Sequence, residues 1–142
     1  MINKLNKYCA ENDSTELVNV RNFIEKNAKK FGFSEIDAGK IALAVDEACT
    51  NLMRHAFKHD KSKRFCVYVE TEPNTFIVKI EDNGFSFNPL EVAEKNMEEH
   101  LHSYKRGGLG IYIIRSVMDD IVYSPSNDSH PLNSLKLIKQ LI

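Results

Sequence analysis

The stretch "RFCVYVETEPNTFIVKIED", from Arg64 to Asp82, constrains the fold of this chain more than any other. In two runs, apolar residues recur at every second position, which is the pattern of β-strands with one buried face. The apolar positions are Phe65, Val67 and Val69 before the turn "EPNT", and Phe76, Val78 and Ile80 after it. Two such runs joined by a Pro-Asn turn predict an antiparallel β-hairpin.

Two amphipathic helices are predicted before the hairpin. The first ends in "KKFGF", with two lysines in its last turn and Gly32 just beyond it. The second begins at Ser34 or Asp37 and ends near His59, because Ser and Asp are good helix caps. Its apolar stripe follows helical spacing and consists of Ile41, Val45, Ala48, Leu52 and Ala56.

The remaining segments complete an α+β pattern. The first ten residues predict a short edge strand, "LGIYIIRSVMDDI" predicts a helix begun by glycines, and "IVYSP" and "NSLKLIKQLI" predict two final strands. The segment 90–106 is polar, with irregular apolar spacing. Helices and antiparallel strands in this order predict a two-layer α/β sandwich.

Length and composition limit the classes of protein that fit. With 142 residues, of which 42% are hydrophobic, we expect a single domain over 1–142 with a real core. The net charge of -1 gives no basis for direct nucleic-acid binding. The sequence contains neither an apolar run of about 20 residues, as a membrane helix needs, nor a secretory signal. We therefore expect a cytoplasmic protein without a membrane partner.

The cysteines support the same expectation. They are three, an odd count, and none has C-x-x-C spacing. Cys49 lies in the second helix and Cys66 in a strand, where each is expected to be a small core residue. A reduced protein is the resulting prediction.

The second helix aligns three polar side chains that a helix does not need for its own stability. Glu47, Asn51 and His55 are spaced by four residues, so they lie one turn above another beside the apolar stripe. The alternative is an ordinary solvated face. The presence of Asn51 argues against a solvated face, because asparagine is only a middling helix former. Lys, Glu or Gln would suit such a face better.

Two further segments carry residues suited to a ligand. "DNG" directly follows a strand, and Asp82 there could accept a hydrogen bond from an exocyclic amine, although Asp-Asn-Gly is also a common turn. Gly107, Gly108 and Gly110 lie at the start of a helix, where backbone amides bind anions; a flexible hinge is the alternative. Their spacing fits neither a dinucleotide-binding fingerprint nor a P-loop.

The order "E-x-x-x-N", "D-x-G" and "G-G-L-G" resembles the GHKL (Bergerat-fold) ATPase superfamily. The phrases "AVDEACTNLMRHAF", "DNGFSFNP" and "RGGLGIYIIRSVMDDI" are most similar to the serine-protein-kinase anti-sigma factor family. The resemblance covers roughly 34–122 and implies a mixed, mostly antiparallel sheet with helices on one face.

The resemblance also implies roles for single residues. Glu47 would be the catalytic base, Asn51 would hold Mg²⁺, Asp82 would bind the adenine amino group, and Gly84 would make room for the ring. Segment 90–106 would be a lid over ATP. The cofactor-binding residues implied are Asn51, His55, Asp82, Gly84, Arg106, Gly107, Gly108, Leu109 and Gly110.

Two departures from the family pattern stand out. Arg106 occupies a position where the superfamily often has a glycine. A Gly-Thr pair that usually precedes the last strand, and is expected to help hold phosphate, is missing. In "SNDSHPLNSLKL" only Asn133 and Ser134 are candidates to replace it.

Three functions follow from the resemblance. The first is an ATP-dependent protein serine kinase that inhibits a sigma factor and phosphorylates an anti-anti-sigma (STAS-type) protein, acting as a homodimer. The second is a non-catalytic module that binds ATP or ADP and a partner protein. The third, the catalytic domain of a histidine kinase, is disfavoured because 142 residues leave no room for a phosphoacceptor helix pair.

Overall fold

A computed structural model describes residues 6–91 and 109–142. The strands are β1 (Asn6–Glu11), β2 (Arg64–Glu72), β3 (Thr75–Asp82), β4 (Asp120–Ser124) and β5 (Asn133–Gln140). The α-helices with defined bounds are α1 (Leu17–Phe31), α2 (Glu35–Asn51) and α3 (Leu109–Val117). A 3₁₀ turn, Ser14–Glu16, precedes α1, and a π-helical turn, Leu52–Phe57, continues α2. The predicted order of helices and strands is confirmed.

The strands form one sheet in the order β1-β2-β3-β5-β4. All four pairings between these strands are antiparallel. The predicted hairpin is β2–β3, and its turn contains Asn74 with a φ of 59°. β1 pairs only with β2, so it is the edge strand that the sequence predicts. The sheet is thus antiparallel throughout the part of the chain that the structure describes.

One face of the sheet carries the core. The residues predicted to point inward from the hairpin are all buried, and they are Phe65, Val67, Val69, Phe76, Val78 and Ile80. They pack with the buried stripe of α2, in which Ile41 and Val45 are fully enclosed. Burying apolar area of this kind is the main term that favours folding, at about 25 cal/mol per Å². The fold is the predicted two-layer sandwich.

Helix α2 occupies the centre of the helical layer, in contact with both α1 and α3. The Ser34 hydroxyl caps it by accepting a hydrogen bond from the Asp37 amide at 3.1 Å. Helix α1 ends at Phe31, and Gly32 follows with a φ of 128°, a conformation that favours glycine. None of the described helices is long and apolar enough to cross a membrane.

The predictions of a reduced protein and of a core position for Cys66 are wrong. Cys9 and Cys66 lie directly opposite each other in the β1–β2 register and form a disulfide bond. Cys66 alternates with the inward-facing Phe65 and Val67, so it lies on the other face of the sheet and is only half-buried. Cys49 is a buried free thiol in α2, as predicted. Burial raises the pKa of the Cys49 thiol, which keeps it protonated.

Candidate functional site

Polar residues from α2 and β3 meet at one cavity. Asn51, in the last turn of α2, and Asp82, the last residue of β3, both line it, although 31 positions separate them. Both side chains are buried, with 6% and 5% of their surface exposed. The apolar part of the wall is formed by Ala48, Leu52, Ala56, Ile80, Phe85, Phe87, Pro89 and Leu135. An apolar cavity with a few convergent polar groups is typical of a small-molecule site.

Only one of the two carboxylate oxygens of Asp82 forms hydrogen bonds with the described residues. Its Oδ1 accepts hydrogen bonds from the Gly84 amide at 2.8 Å and from the Asn133 carboxamide at 3.1 Å. Within residues 6–91 and 109–142, no group donates to Oδ2. Burial raises the pKa of Asp82, and these two hydrogen bonds oppose the rise. The carboxylate therefore has an acceptor left for a donor on a ligand.

Asn133 lies beside Asp82, which differs from its expected place near the phosphates. It begins β5 directly opposite Asp82, and its side chain is 1% exposed. Ser134, the other candidate replacement, follows it and points to the opposite face of the sheet. The residue that stands in for the Gly-Thr pair, Asn133, therefore lies at the Asp82 end of the cavity. The strand register, which the sequence alone does not supply, is what reveals this.

Gly84 is required by packing within the protein. A Cβ at this position would lie 2.8 Å from the Ala56 carbonyl oxygen and 2.8 Å from a Phe57 ring carbon. The next amide, of Phe85, donates to the same Ala56 oxygen at 3.0 Å. The space that a side chain would occupy at Gly84 is thus already filled by the end of the second helix, and its expected role of making room for a ring stays a prediction.

We expect Gly84→Ala to destabilise the protein by about 1–3 kcal/mol, because the methyl group forces backbone or ring shifts. Gly39→Ala is the matched control. A Cβ at Gly39 meets nothing within 4 Å, and alanine is the better helix former, so this change should stabilise by up to about 1 kcal/mol. Denaturant unfolding of both variants measures the difference. Equal stabilities would contradict the packing role of Gly84.

Glu47 and Asn51 face the start of α3. A Cβ on Gly110 would lie 2.9 Å from Oε2 of Glu47 and 3.4 Å from Nδ2 of Asn51. Glycine at this position therefore lets the first turn of α3 approach both side chains. Three of the predicted site residues, from two distant parts of the sequence, are brought together here.

The electrostatic setting of Glu47 suits a proton acceptor. Burial raises the pKa of its carboxyl, the neighbouring Asp46 raises it further, and Arg54 lowers it. A carboxylate with a raised pKa is a stronger base while it stays ionised at neutral pH. Perturbed carboxyls in a cleft are common at catalytic sites.

Asn51 could hold a metal ion through its amide oxygen. It is buried, and no described residue forms a hydrogen bond with its carboxamide. No group of three or more His, Cys, Asp or Glu side chains in the described segments could hold an ion by itself. An amide oxygen together with phosphate oxygens and waters is a usual ligand set for Mg²⁺. The residues present therefore fit a nucleotide-bound magnesium ion.

His55 forms an aromatic stack instead of a polar contact in the cavity. Its ring lies 4.6 Å from the Phe87 ring at an interplanar angle of 15°. Burial lowers the pKa of His55, with Arg54 and Lys58 lowering it further, so the neutral imidazole is favoured. The Phe87 amide in turn donates to the Tyr123 hydroxyl at 2.9 Å. His55 thus supports the wall residue Phe87.

The cavity is small in the described conformation. Its volume is about 20 Å³, which is room for about one water molecule. A purine ring can enter only if part of the wall moves. The 64% exposed Phe85 and the half-buried Phe87 belong to the segment after β3 that forms neither helix nor strand.

Part of the predicted site lies outside the described residues. This applies to Arg106, Gly107 and Gly108, and to the expected lid apart from Leu90 and Glu91. Leu109 is the first residue of α3.

The sheet order, the helical layer and this cavity define the class of protein. Residues 10–139 match the family described as histidine kinase-like ATPase domain, and the chain belongs to that family. The resemblance to the GHKL superfamily and the two-layer fold are therefore confirmed.

Individual relatives are also similar to part of this chain. Serine-protein kinase RsbW of Bacillus thuringiensis (strain Al Hakam) and that of Bacillus cereus (strain AH820) are each 35% identical over 98 residues, covering 66% of this chain and 61% of theirs. RsbW of Bacillus mycoides (strain KBAB4) is 34% identical over 98 residues, with the same shares. The chain thus spans about three fifths of the length of the curated relatives it matches.

Proposed function

We propose that this protein is an ATP-dependent protein serine kinase that acts as an anti-sigma factor. In this role it phosphorylates a serine of an anti-anti-sigma protein and, in its other state, holds a sigma factor inactive. The name of its relatives, serine-protein kinase, supports the activity. The observation that carries the proposal is the meeting of Glu47, Asn51 and the start of α3 beside a cavity whose other polar wall is Asp82.

The residues divide the work by position. Asp82 accepts a hydrogen bond from the adenine amino group, and the backbone amides at the start of α3 lie near the phosphates. Asn51 would hold Mg²⁺, which would supply charge neutralisation on the phosphates when bound. Glu47 takes the proton of the attacking serine hydroxyl. The serine oxygen then bonds to the γ-phosphorus as the bond to the leaving ADP oxygen breaks.

The partners follow from the same family. We propose a sigma factor and a STAS-type anti-anti-sigma protein as protein partners, a homodimer as the working form, and the cytoplasm as its location. The RsbW name supports the serine kinase activity, and the kinase needs an acceptor protein that can bring a serine to Glu47.

The second candidate is a nucleotide-binding module without phosphotransfer. The small cavity and the replacement of the Gly-Thr pair by residues that include Asn133 favour it, because both bear on how ATP is held.

One experiment separates the two functions. The protein is incubated with Mg²⁺, ATP labelled at the γ-phosphate and a purified anti-anti-sigma protein. The kinase is expected to transfer label to a serine of that protein. Nucleotide binding without any labelled serine would instead support the module, and absence of nucleotide binding would refute both.

A further inference from the structure

We propose that Asn133 is the positioning residue of the nucleotide pocket, which fixes the Asp82 carboxylate and the segment after β3 against β5. The inference rests on the proposed adenine contact of Asp82. Asn133 is 1% exposed, and its carboxamide uses every one of its hydrogen-bonding positions within the protein.

The hydrogen bonds of Asn133 connect three separate segments. Its Nδ2 donates to Asp82 Oδ1 at 3.1 Å and to the Gly84 carbonyl oxygen at 3.0 Å. Its Oδ1 accepts from the Ser86 hydroxyl and from the Ser126 amide, both at 2.8 Å. One side chain thus ties the end of β3, the segment after it and the β4–β5 connection together.

The orientation of this carboxamide follows from two unambiguous partners. The Gly84 carbonyl can only accept a hydrogen bond and the Ser126 amide can only donate one. These two partners therefore distinguish Nδ2 from Oδ1 and fix which way round the Asn133 carboxamide lies. The NH₂ group therefore faces Asp82. A donor at this position holds Oδ1 of the carboxylate and leaves Oδ2 for a ligand.

Asn133 acts through Asp82 and does not contact the nucleotide itself. With two donor and two acceptor bonds already made, it has nothing left to offer a purine. Without the hydrogen bond from Asn133, the Asp82 carboxylate would be free to rotate. A carboxylate oxygen that is out of place binds the nucleotide more weakly, even though its charge is retained. The contribution of Asn133 is thus pre-organisation of the acceptor.

The test replaces Asn133 by aspartate and measures adenosine, ATP and inorganic triphosphate binding by calorimetry. Asn133→Asp keeps the shape and the acceptor but turns a second carboxylate towards Asp82 and the Gly84 oxygen. We expect adenosine and ATP affinity to fall by about tenfold or more, with triphosphate binding unchanged. Ser134→Ala, the next residue on the opposite face of the sheet, is the matched control and should change none of the three.

A second readout separates positioning from general stability. In Asn133→Thr, the hydroxyl can still donate one hydrogen bond, so adenosine affinity should be intermediate between wild type and Asn133→Asp. The carboxyl pKa of Asp82, followed by NMR, should rise in Asn133→Asp because a donor is lost and a like charge is gained. If Asn133→Asp folds too weakly for calorimetry, the same titration of Asp82 can be made in Asn133→Thr and compared with wild type.

The outcomes are distinct from those for the kinase. Wild-type adenosine affinity in a folded Asn133→Asp protein would overturn the inference and leave the proposed function intact. A wild-type protein that binds no adenosine would overturn both. A protein that binds adenosine but transfers no phosphate would remove the kinase and leave the role of Asn133 standing.

Discussion

Replacing Glu47 by glutamine is expected to lower the rate of serine phosphorylation by about 10²- to 10⁴-fold, the usual contribution of a general base. Glutamine keeps the size of the side chain and its place beside Gly110 but cannot take a proton. ATP affinity should stay within a few-fold of wild type, because Asp82 and Asn51 are untouched. Single-turnover transfer to the anti-anti-sigma protein measures the first quantity, and an ATP titration the second.

Asp46→Asn is the matched control for Glu47→Gln. It removes the adjacent carboxylate, whose Oδ1 pairs with Arg21 at 3.0 Å between α2 and α1. That pair lies away from the cavity, so the transfer rate at neutral pH should change little. Full transfer activity in Glu47→Gln would show that another group, or the solvent, accepts the proton.

The pH dependence of transfer offers an independent check on Glu47. Burial raises the pKa of its carboxyl, so the ionised base is lost, as pH falls, at a higher pH than for an exposed glutamate. The transfer rate should therefore begin to decline, as pH falls, before an exposed glutamate at the same place would be protonated. Glu47→Gln should abolish this acid limb. Asp46→Asn should move it to lower pH, because Asp46 is one of the groups that raise the pKa.

Local patterns in the sequence were sufficient to predict the helices and strands of the fold. The hairpin and the stripe of α2 were predictable because periods of 2 and 3.6 residues report which face is buried. The turn spacing of Glu47 and Asn51 was predictable for the same reason. Their meeting with Gly110 was implied only by the family resemblance, since nothing local brings residue 110 to residue 47.

Features that depend on strand register were not predictable from the sequence. The Cys9–Cys66 disulfide and the Asn133–Asp82 contact both join residues that lie directly opposite each other on neighbouring strands. A shift of one residue in either pairing would turn one partner to the other face of the sheet. The odd number of cysteines favoured free thiols, and the family pattern favoured a phosphate role for Asn133. The strand register instead brings Cys9 and Cys66 together as a disulfide and places Asn133 beside Asp82.

Replacing Asp82 by asparagine is expected to weaken ATP binding by about 5- to 150-fold, the effect of about 1–3 kcal/mol for a buried polar group that loses its partner. The amide oxygen can still accept from Gly84 and Asn133, so the segment after β3 keeps its hydrogen bonds. What changes is the atom facing the ligand, where an NH₂ donor replaces Oδ2 and opposes the adenine amino group. GTP, which has a carbonyl oxygen at that ring position, should lose less affinity than ATP. Glu81→Gln, on the opposite face of β3, is the control and should alter neither.

The stability of Asp82→Asn distinguishes lost recognition from lost structure. Because burial raises the pKa of Asp82 above its unfolded value, the ionised carboxylate opposes folding at pH values above that unfolded pKa. Removing the charge should therefore leave the unfolding temperature at neutral pH unchanged or higher, and the difference from wild type should shrink as pH falls and Asp82 becomes protonated. A protein that is at least as stable and yet binds ATP poorly is the signature of a residue kept for its ligand. A lower unfolding temperature together with unchanged ATP affinity would instead assign Asp82 a structural role, with the adenine contact made elsewhere.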